Sequence, residues 1–281
     1  MEHYLQLIIS CAKQYTMRTR LVTIGLLLFG ALYFCACSPS SAGTKLSEMK
    51  VIGNPEAILY GVGGILYYKR DHLRLAEDLT AYDTAANEIS KEQFLKTLSS
   101  GKYLPLRLHT ADSSNAYLLY RVPDSTDISL IHTLGQIGEE YYGEYKREGQ
   151  KLPAFNFRDI NGKLYTNETM LGKTVFLKCW FVHCWACVQE MPRLNQLVSK
   201  YSNRDDVLFL SLAFDTETEL RAFLKKKTFN YQVASVPQRY MEDTLQVGLY
   251  PTHVIVNKEG RIAKVVTSVD ELERVLPKVI H

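Results

Sequence analysis

Apolar and polar positions change rhythm several times along the chain, and each change marks an element. Leu21–Ala36 is an unbroken uncharged run. Ala57–Tyr68 is again mostly apolar, with Gly61, Gly63 and Gly64 inside it, and reads as a β-rich segment with a bend or bulge. Leu73–Tyr82 reads as a further strand. Ser90-Lys91-Glu92-Gln93 has the form of a capping box, in which two side chains satisfy each other's free backbone N–H groups. A short helix is predicted to follow and to stop near Gly101. Tyr103–His109 and Ala116–Val122 are predicted strands around the turn-rich Ala111–Asn115. Ile128, Ile131, Leu134, Ile137, Tyr141 and Tyr145 then recur at helical spacing. Residues 46–149 therefore read as a small α+β domain ending in a helix.

A second pattern fills 150–281. Phe155–Tyr165 reads as a hairpin turning at Asn161-Gly162. Thr174–Phe181 is an apolar strand interrupted only by Lys178, and a helix is predicted from Trp185 to Lys200. Val207–Phe214 (strand), Thr216–Lys226 (helix), Thr252–Asn257 and Arg261–Thr267 (paired strands across Lys258-Glu259-Gly260) and Asp270–Ile280 (helix) complete it. Strands alternating with helices, then a terminal hairpin and helix, predict an α/β class with a mixed sheet.

Charge changes the picture little. The net charge is +3, and Lys13, Arg18 and Arg20 against Glu2 place much of it in the first 37 residues. The remainder is nearly neutral, with no basic stripe for nucleic acid. Met17-Arg18-Thr19-Arg20 ahead of Leu21–Ala36 has the form of an export signal whose start is Met17; the run is short for a membrane span, which takes about 20 residues. Phe34-Cys35-Ala36-Cys37 resembles a bacterial lipobox. Residues 1–37 are thus expected to be a signal segment, Cys37 a lipidated anchor and 38–45 a flexible tether. The expected location is the periplasm-facing side of a bacterial cell envelope.

Of six cysteines, Cys11, Cys35 and Cys37 lie in the leader, while Cys179, Cys184 and Cys187 fall within nine residues. This is a local cluster, not a distributed disulfide framework. Cys184-Trp185-Ala186-Cys187 stands where a buried strand gives way to a helix. Free N–H groups and the helix dipole there favour the thiolate and lower a cysteine pKa from about 8.5 to about 7 or below. Cys184 is the expected exposed nucleophile and Cys187, one turn on, the resolving thiol. Cys179 is expected in the core.

These residues, with Trp180 and Phe181 before the pair, Glu190-Met191-Pro192 after it, and Tyr250-Pro251-Thr252 leading into Val254–Gly260, resemble the TlpA/ResA-type branch of the thioredoxin superfamily. The resemblance covers residues 152–281. It implies a thioredoxin-like fold, a redox disulfide between Cys184 and Cys187, a cis-proline at Pro251 with Tyr250 as the side chain a substrate meets first, and protein-disulfide reduction without a cofactor or metal. It further implies disulfide-containing or apocytochrome-like substrate proteins and a membrane electron donor. Trp180, His183, Trp185, Ala186, Glu190 and Pro192 would form the surrounding shell.

Lys178 stands where thioredoxins carry a buried acid. It either exchanges a proton with Cys187 or snorkels to the strand edge. His183 either stabilises the Cys184 thiolate or is an exposed loop residue. Two rivals are a soft-metal (copper) delivery module using Cys184, Cys187 and His253 and a non-catalytic binding module. A peroxidase of the peroxiredoxin kind would need a Pro-x-x-x-Thr-x-x-Cys arrangement that does not precede Cys184.

Overall fold

The computed structural model describes residues 50–280; the signal segment, Cys37 and the tether lie outside the described residues. The first part is a five-stranded sheet of order β1-β4-β5-β2-β3, formed by β1 (Lys50–Val51), β2 (Thr80–Tyr82), β3 (Glu88–Ile89), β4 (Tyr103–His109) and β5 (Ala116–Arg121). Helices α1 (Pro55–Ile58), α2 (Val62–His72), α3 (Lys91–Leu98) and α4 (Ile128–Arg147) accompany it.

Two expectations fail here. Ala57–Tyr68 is helical: the Asn54 side chain caps α1 with Pro55 in its first turn, and α2 buries Ile65 and Tyr68. Val62, Leu66 and Tyr67 face solvent on the same helix. Apolar residues on both faces erase the helical period and imitate a strand. Gly64 is no bend; a Cβ there would meet the Ile58 carbonyl oxygen at 2.5 Å, so glycine lets α2 close onto α1. Of Leu73–Tyr82, only Thr80–Tyr82 is strand. Ser90 does cap α3, its hydroxyl accepting from the Gln93 N–H.

The second sheet has order β10-β9-β8-β11-β12, with β8 (Thr174–Trp180), β9 (Val207–Ala213), β10 (Gln232–Ser235), β11 (Thr252–Val256) and β12 (Ile262–Val266). A small hairpin, β6 (Asn156–Arg158) with β7 (Leu164–Thr166), and the short α5 (Asn167–Met170) precede it. Around it lie α6 (Trp185–Gln189), α7 (Met191–Lys200), α8 (Glu217–Leu224), a π-helical turn at Tyr240–Thr244, and α9 (Val269–Val279). Central β8 pairs parallel with β9 and antiparallel with β11, and all seven of its residues are buried, as a strand covered on both faces must be.

The predicted helix from Trp185 to Lys200 is interrupted at Glu190. Pro192 lacks an N–H and cannot continue the ladder, so its position opens a second helix.

The outer edge of β12 is occupied by the segment that follows α4: Gly149 donates to Ile262 O at 2.8 Å and Ile262 to Gln150 O at 2.8 Å. The edge is thereby blunted against pairing with other chains. One apolar cluster runs from Leu134, Ile137 and Tyr141 on α4 to Val266 and Leu272, and both sheets belong to one compact unit. No helix among the described residues is long and apolar enough to cross a membrane.

Candidate active site

β8 runs straight at the cysteines. Its last residue, Trp180, pairs in register with Ala213 of β9, while Cys179 lies opposite Thr252 at the start of β11. The ends of β8 and β9 and the beginning of β11 thus share one side of the sheet. The connection to α6 is held from β9's side, where Asp215 Oδ2 accepts the Val182 N–H at 2.8 Å, and by a turn in which Cys184 N–H reaches Phe181 O at 3.1 Å.

Cys184 is the N-cap of α6. Its sulfur is joined to that of Cys187 in a disulfide and accepts the Cys187 N–H at 3.2 Å. A donor aimed at this sulfur favours the thiolate once the bond is reduced. Contrary to the sequence expectation, Cys184 is only 7% exposed and Cys187 is fully buried. Folding back toward Cys187 withdraws the Cys184 sulfur, and the side chain that projects is Trp185, 76% exposed. Ala186 and His183 are also exposed; His183 is a surface residue of the turn.

The Tyr250–Pro251 bond is cis. Pro251 is buried, and Thr252 Oγ1 closes the loop onto Leu249 O at 2.7 Å. Tyr250 is not the outermost side chain. Its ring stands edge-on to Phe181 at 5.5 Å and to Phe214 at 5.8 Å, tying the proline loop to the segments after β8 and β9. Burial pushes its hydroxyl up to about 12. Leu249, by contrast, is exposed. Trp180 is fully buried, packed on Phe223 and Phe229, and Cys179 is buried in the core on the opposite face of the sheet from the disulfide, where burial raises its thiol to about 12.

Lys178 does not snorkel. Its position in central β8 leaves no strand edge to reach, and it is 0% exposed. Its ammonium donates to Glu190 Oε2 at 2.7 Å. His253, opposite Lys178 across β8 and β11, places Nε2 3.0 Å from the same oxygen. The other oxygen, Oε1, accepts the Val269 N–H at 2.7 Å. Glu190 lies three residues beyond Cys187, the spacing that puts two helical side chains on one face. The cluster is therefore anchored at the α6–α7 junction, one helical turn from Cys187.

Burial alone would raise the Glu190 carboxyl; the hydrogen bond from His253 and the charge and hydrogen bond of Lys178 outweigh it and hold the group at about 2. Burial lowers Lys178, opposed by Glu190. Burial likewise lowers His253, with Lys178 adding to the effect, so the imidazole is neutral at pH 7. The working state is a Lys178–Glu190 ion pair with a neutral His253. From sequence, Glu190 belongs to the shell around the cysteines and His253 stands only among possible metal ligands. Their meeting with Lys178 depends on β8–β11 register and the α6–α7 break, which no local pattern announces. For the metal rival, the His253 nitrogen is engaged by Glu190, and no group of three or more His, Cys, Asp and Glu among the described residues is arranged for a metal ion.

Residues 149–265 match the AhpC/TSA family model. The chain is 29% identical over 171 residues to the thiol-disulfide oxidoreductase ResA of Bacillus cereus, covering 58% of this chain and 96% of that one. It is 28% identical over 120 residues to ResA of Bacillus subtilis, covering 43% and 67%. Among solved structures, the thioredoxin domain of a thiol-disulfide oxidoreductase from Bacteroides vulgatus superposes with a TM-score of 0.43 at 20% identity, covering 48% of this chain and 98% of that one.

Proposed function

We propose that the chain, whose residues 149–265 match the AhpC/TSA family model, is a thiol–disulfide oxidoreductase that reduces disulfides of substrate proteins outside the cytoplasm. The observation that carries the reading is the Cys184–Cys187 disulfide at a helix start, its outer sulfur held by the Cys187 N–H, beside a buried Lys178–Glu190–His253 cluster.

In the reducing direction the Cys184 thiolate attacks one sulfur of a substrate disulfide, and the other substrate sulfur leaves as a thiolate and takes a proton. Cys187 then attacks Cys184 Sγ as its thiolate, and the proton it gives up ends on the departing second substrate sulfur. The second substrate thiol is released, the Cys184–Cys187 disulfide forms, and two electrons have passed to the substrate. A buried thiol such as Cys187 resists ionisation. The Lys178 ammonium opposes that resistance by its charge, and Lys178 is the residue on which proton exchange with Cys187 is proposed to depend. A membrane electron donor regenerates the dithiol. Exposed Trp185 and Leu249 supply apolar contact for an extended chain, with the Tyr250–Thr252 backbone beside it. Apocytochrome-like chains are the proposed substrates. Lipidation at Cys37 would hold the enzyme on the periplasm-facing side of the envelope.

Reduction of insulin by the purified protein in the presence of dithiothreitol tests the activity. The Cys184→Ser/Cys187→Ser double variant is expected to lose all catalysis, and full activity in that variant would overturn the proposal. Mass spectrometry of the native N-terminus tests the anchor, which fails if the mature chain begins at Met1 or Met17 without lipid.

A further inference from the structure

The buried carboxylate beside Cys187 is held partly from far away in the sequence. One of its oxygens is claimed by Lys178 and His253. The other is claimed by Val269 N–H, at the first residue of α9. The position of that N–H depends on the turn Thr267–Ser268–Val269 between β12 and α9.

That turn is fastened by the N-terminal part of the chain. Tyr141 of α4, fully buried in the apolar cluster, donates its hydroxyl to Glu271 Oε1 at 2.7 Å across 130 residues. Glu271 Oε2 accepts the Thr267 N–H at 3.1 Å, and the Glu271 N–H reaches the Ser268 cap at 3.2 Å. A second tie runs beside it. Thr267 Oγ1 donates to Glu140 Oε1 at 3.1 Å, and Glu140 Oε2 receives Lys69 of α2 at 2.7 Å. Leu134, Ile137, Val266 and Leu272 already supply apolar packing in this cluster. A buried carboxylate and hydroxyl add a desolvation cost that packing alone does not require. What they add is direction: they fix where the N-terminus of α9, with its positive end, points at Glu190.

We propose that Tyr141 and Glu271 are positioning residues for the redox pair, through which the N-terminal part of the chain holds the β12–α9 turn and, by the Val269 N–H, sets Glu190 beside Cys187. The inference rests on the oxidoreductase reading and assigns the N-terminal part a role in it. Facing Glu271 are Tyr141, Glu140 and Glu144. Facing Glu190 are Lys178, His253 and Tyr231. Releasing the turn withdraws a donor from Glu190, makes the surroundings of the thiols more negative, and disfavours the thiolate that stabilises the reduced form.

The test equilibrates the full chain with reduced and oxidised glutathione at pH 7, for wild type, Tyr141→Phe and Glu271→Gln, and follows Cys184 alkylation rates alongside. Both variants are expected to shift the equilibrium about threefold toward the disulfide and to slow alkylation by a similar factor, the scale of coupling along packed networks. Ile137→Val, which loosens the same interface without touching these hydrogen bonds, is expected to lower the Tm and leave the equilibrium unchanged. If Tyr141→Phe and Glu271→Gln also lower only the Tm, or if Ile137→Val shifts the equilibrium as much as they do, the positioning role is refuted. A wild type that does not equilibrate through Cys184 and Cys187 at all would instead overturn the oxidoreductase reading, and this inference with it.

Discussion

Replacing Lys178 by methionine isolates the electrostatics of the buried cluster, because the two side chains are similar in length and the site is sealed from water. In the native protein the Glu190 carboxyl sits at about 2 against an ordinary 4.5. His253 first and Lys178 next supply that depression, which stabilises the folded state. A depressed carboxylate contributes this fully above its unfolded value and loses it as pH falls through the native one. Without Lys178 the carboxylate keeps only His253 and the Val269 N–H. The repulsion that helps lower His253 also disappears, while Glu190 still raises it. His253 can then take up a proton in Lys178's place. A histidine raised in this way stabilises below its unfolded value, about 6.5, and the effect is lost as pH rises. Lys178→Met is therefore expected to cost about 3 kcal/mol at pH 8, at the lower end for breaking a buried pair, and markedly less at pH 5. Urea unfolding of the oxidised protein at the two pH values measures the difference, with unchanged m-values securing the comparison. A deficit equal at pH 8 and pH 5, or one below about 1 kcal/mol at pH 8, would show that Lys178 acts by packing or is solvated, and the charge argument would fail. The same variant is expected to slow resolution of the mixed disulfide while leaving the first attack by Cys184 nearly intact.

Cys187→Ser is expected to accumulate mixed disulfides with substrate chains through Cys184, visible on non-reducing gels; their absence would make Cys184 an unreactive sulfur. Trp185→Ala removes the most exposed aromatic ring at the site and is expected to raise KM for insulin about tenfold with little change in Tm, the pattern of a lost contact anchor; a change in kcat alone would contradict this. Gly138→Ala brings a Cβ against the backbone of Leu98 and Ser99 and is expected to cost about 1–3 kcal/mol, read as a lower Tm; an unchanged Tm would mean α3 and α4 can separate freely.

Where one face of an element is buried and the other wet, the chain could be read directly. The period from Ile128 to Tyr145 became α4, the alternation in Tyr103–His109 became β4, and the apolar run before the cysteines, interrupted only by Lys178, became the fully buried β8. The Cys184–Cys187 pair was equally legible, because its chemistry needs only three residues of spacing and a helix start. Ala57–Tyr68 was not, since α2 carries apolar side chains on its outer face as well as its inner one, and the local pattern then cannot tell helix from strand. Gln232–Ser235 passed unnoticed; it is a strand only because β9 offers it a parallel edge.

The sequence alone thus determined the α/β class, the order of most elements and the place of the Cys184–Cys187 pair at a helix start, all of which follow from residue type and local spacing. Only the tertiary structure decided the state of Lys178. A lysine in an apolar strand can surface or be buried, and the choice depends on whether partners wait inside. Glu190 arrives from the α6–α7 junction, His253 from the neighbouring strand, and the Val269 N–H from a turn tied to α4. No one of these is adjacent to Lys178 in the chain, and the free energy that keeps the charge inside exists only once they meet.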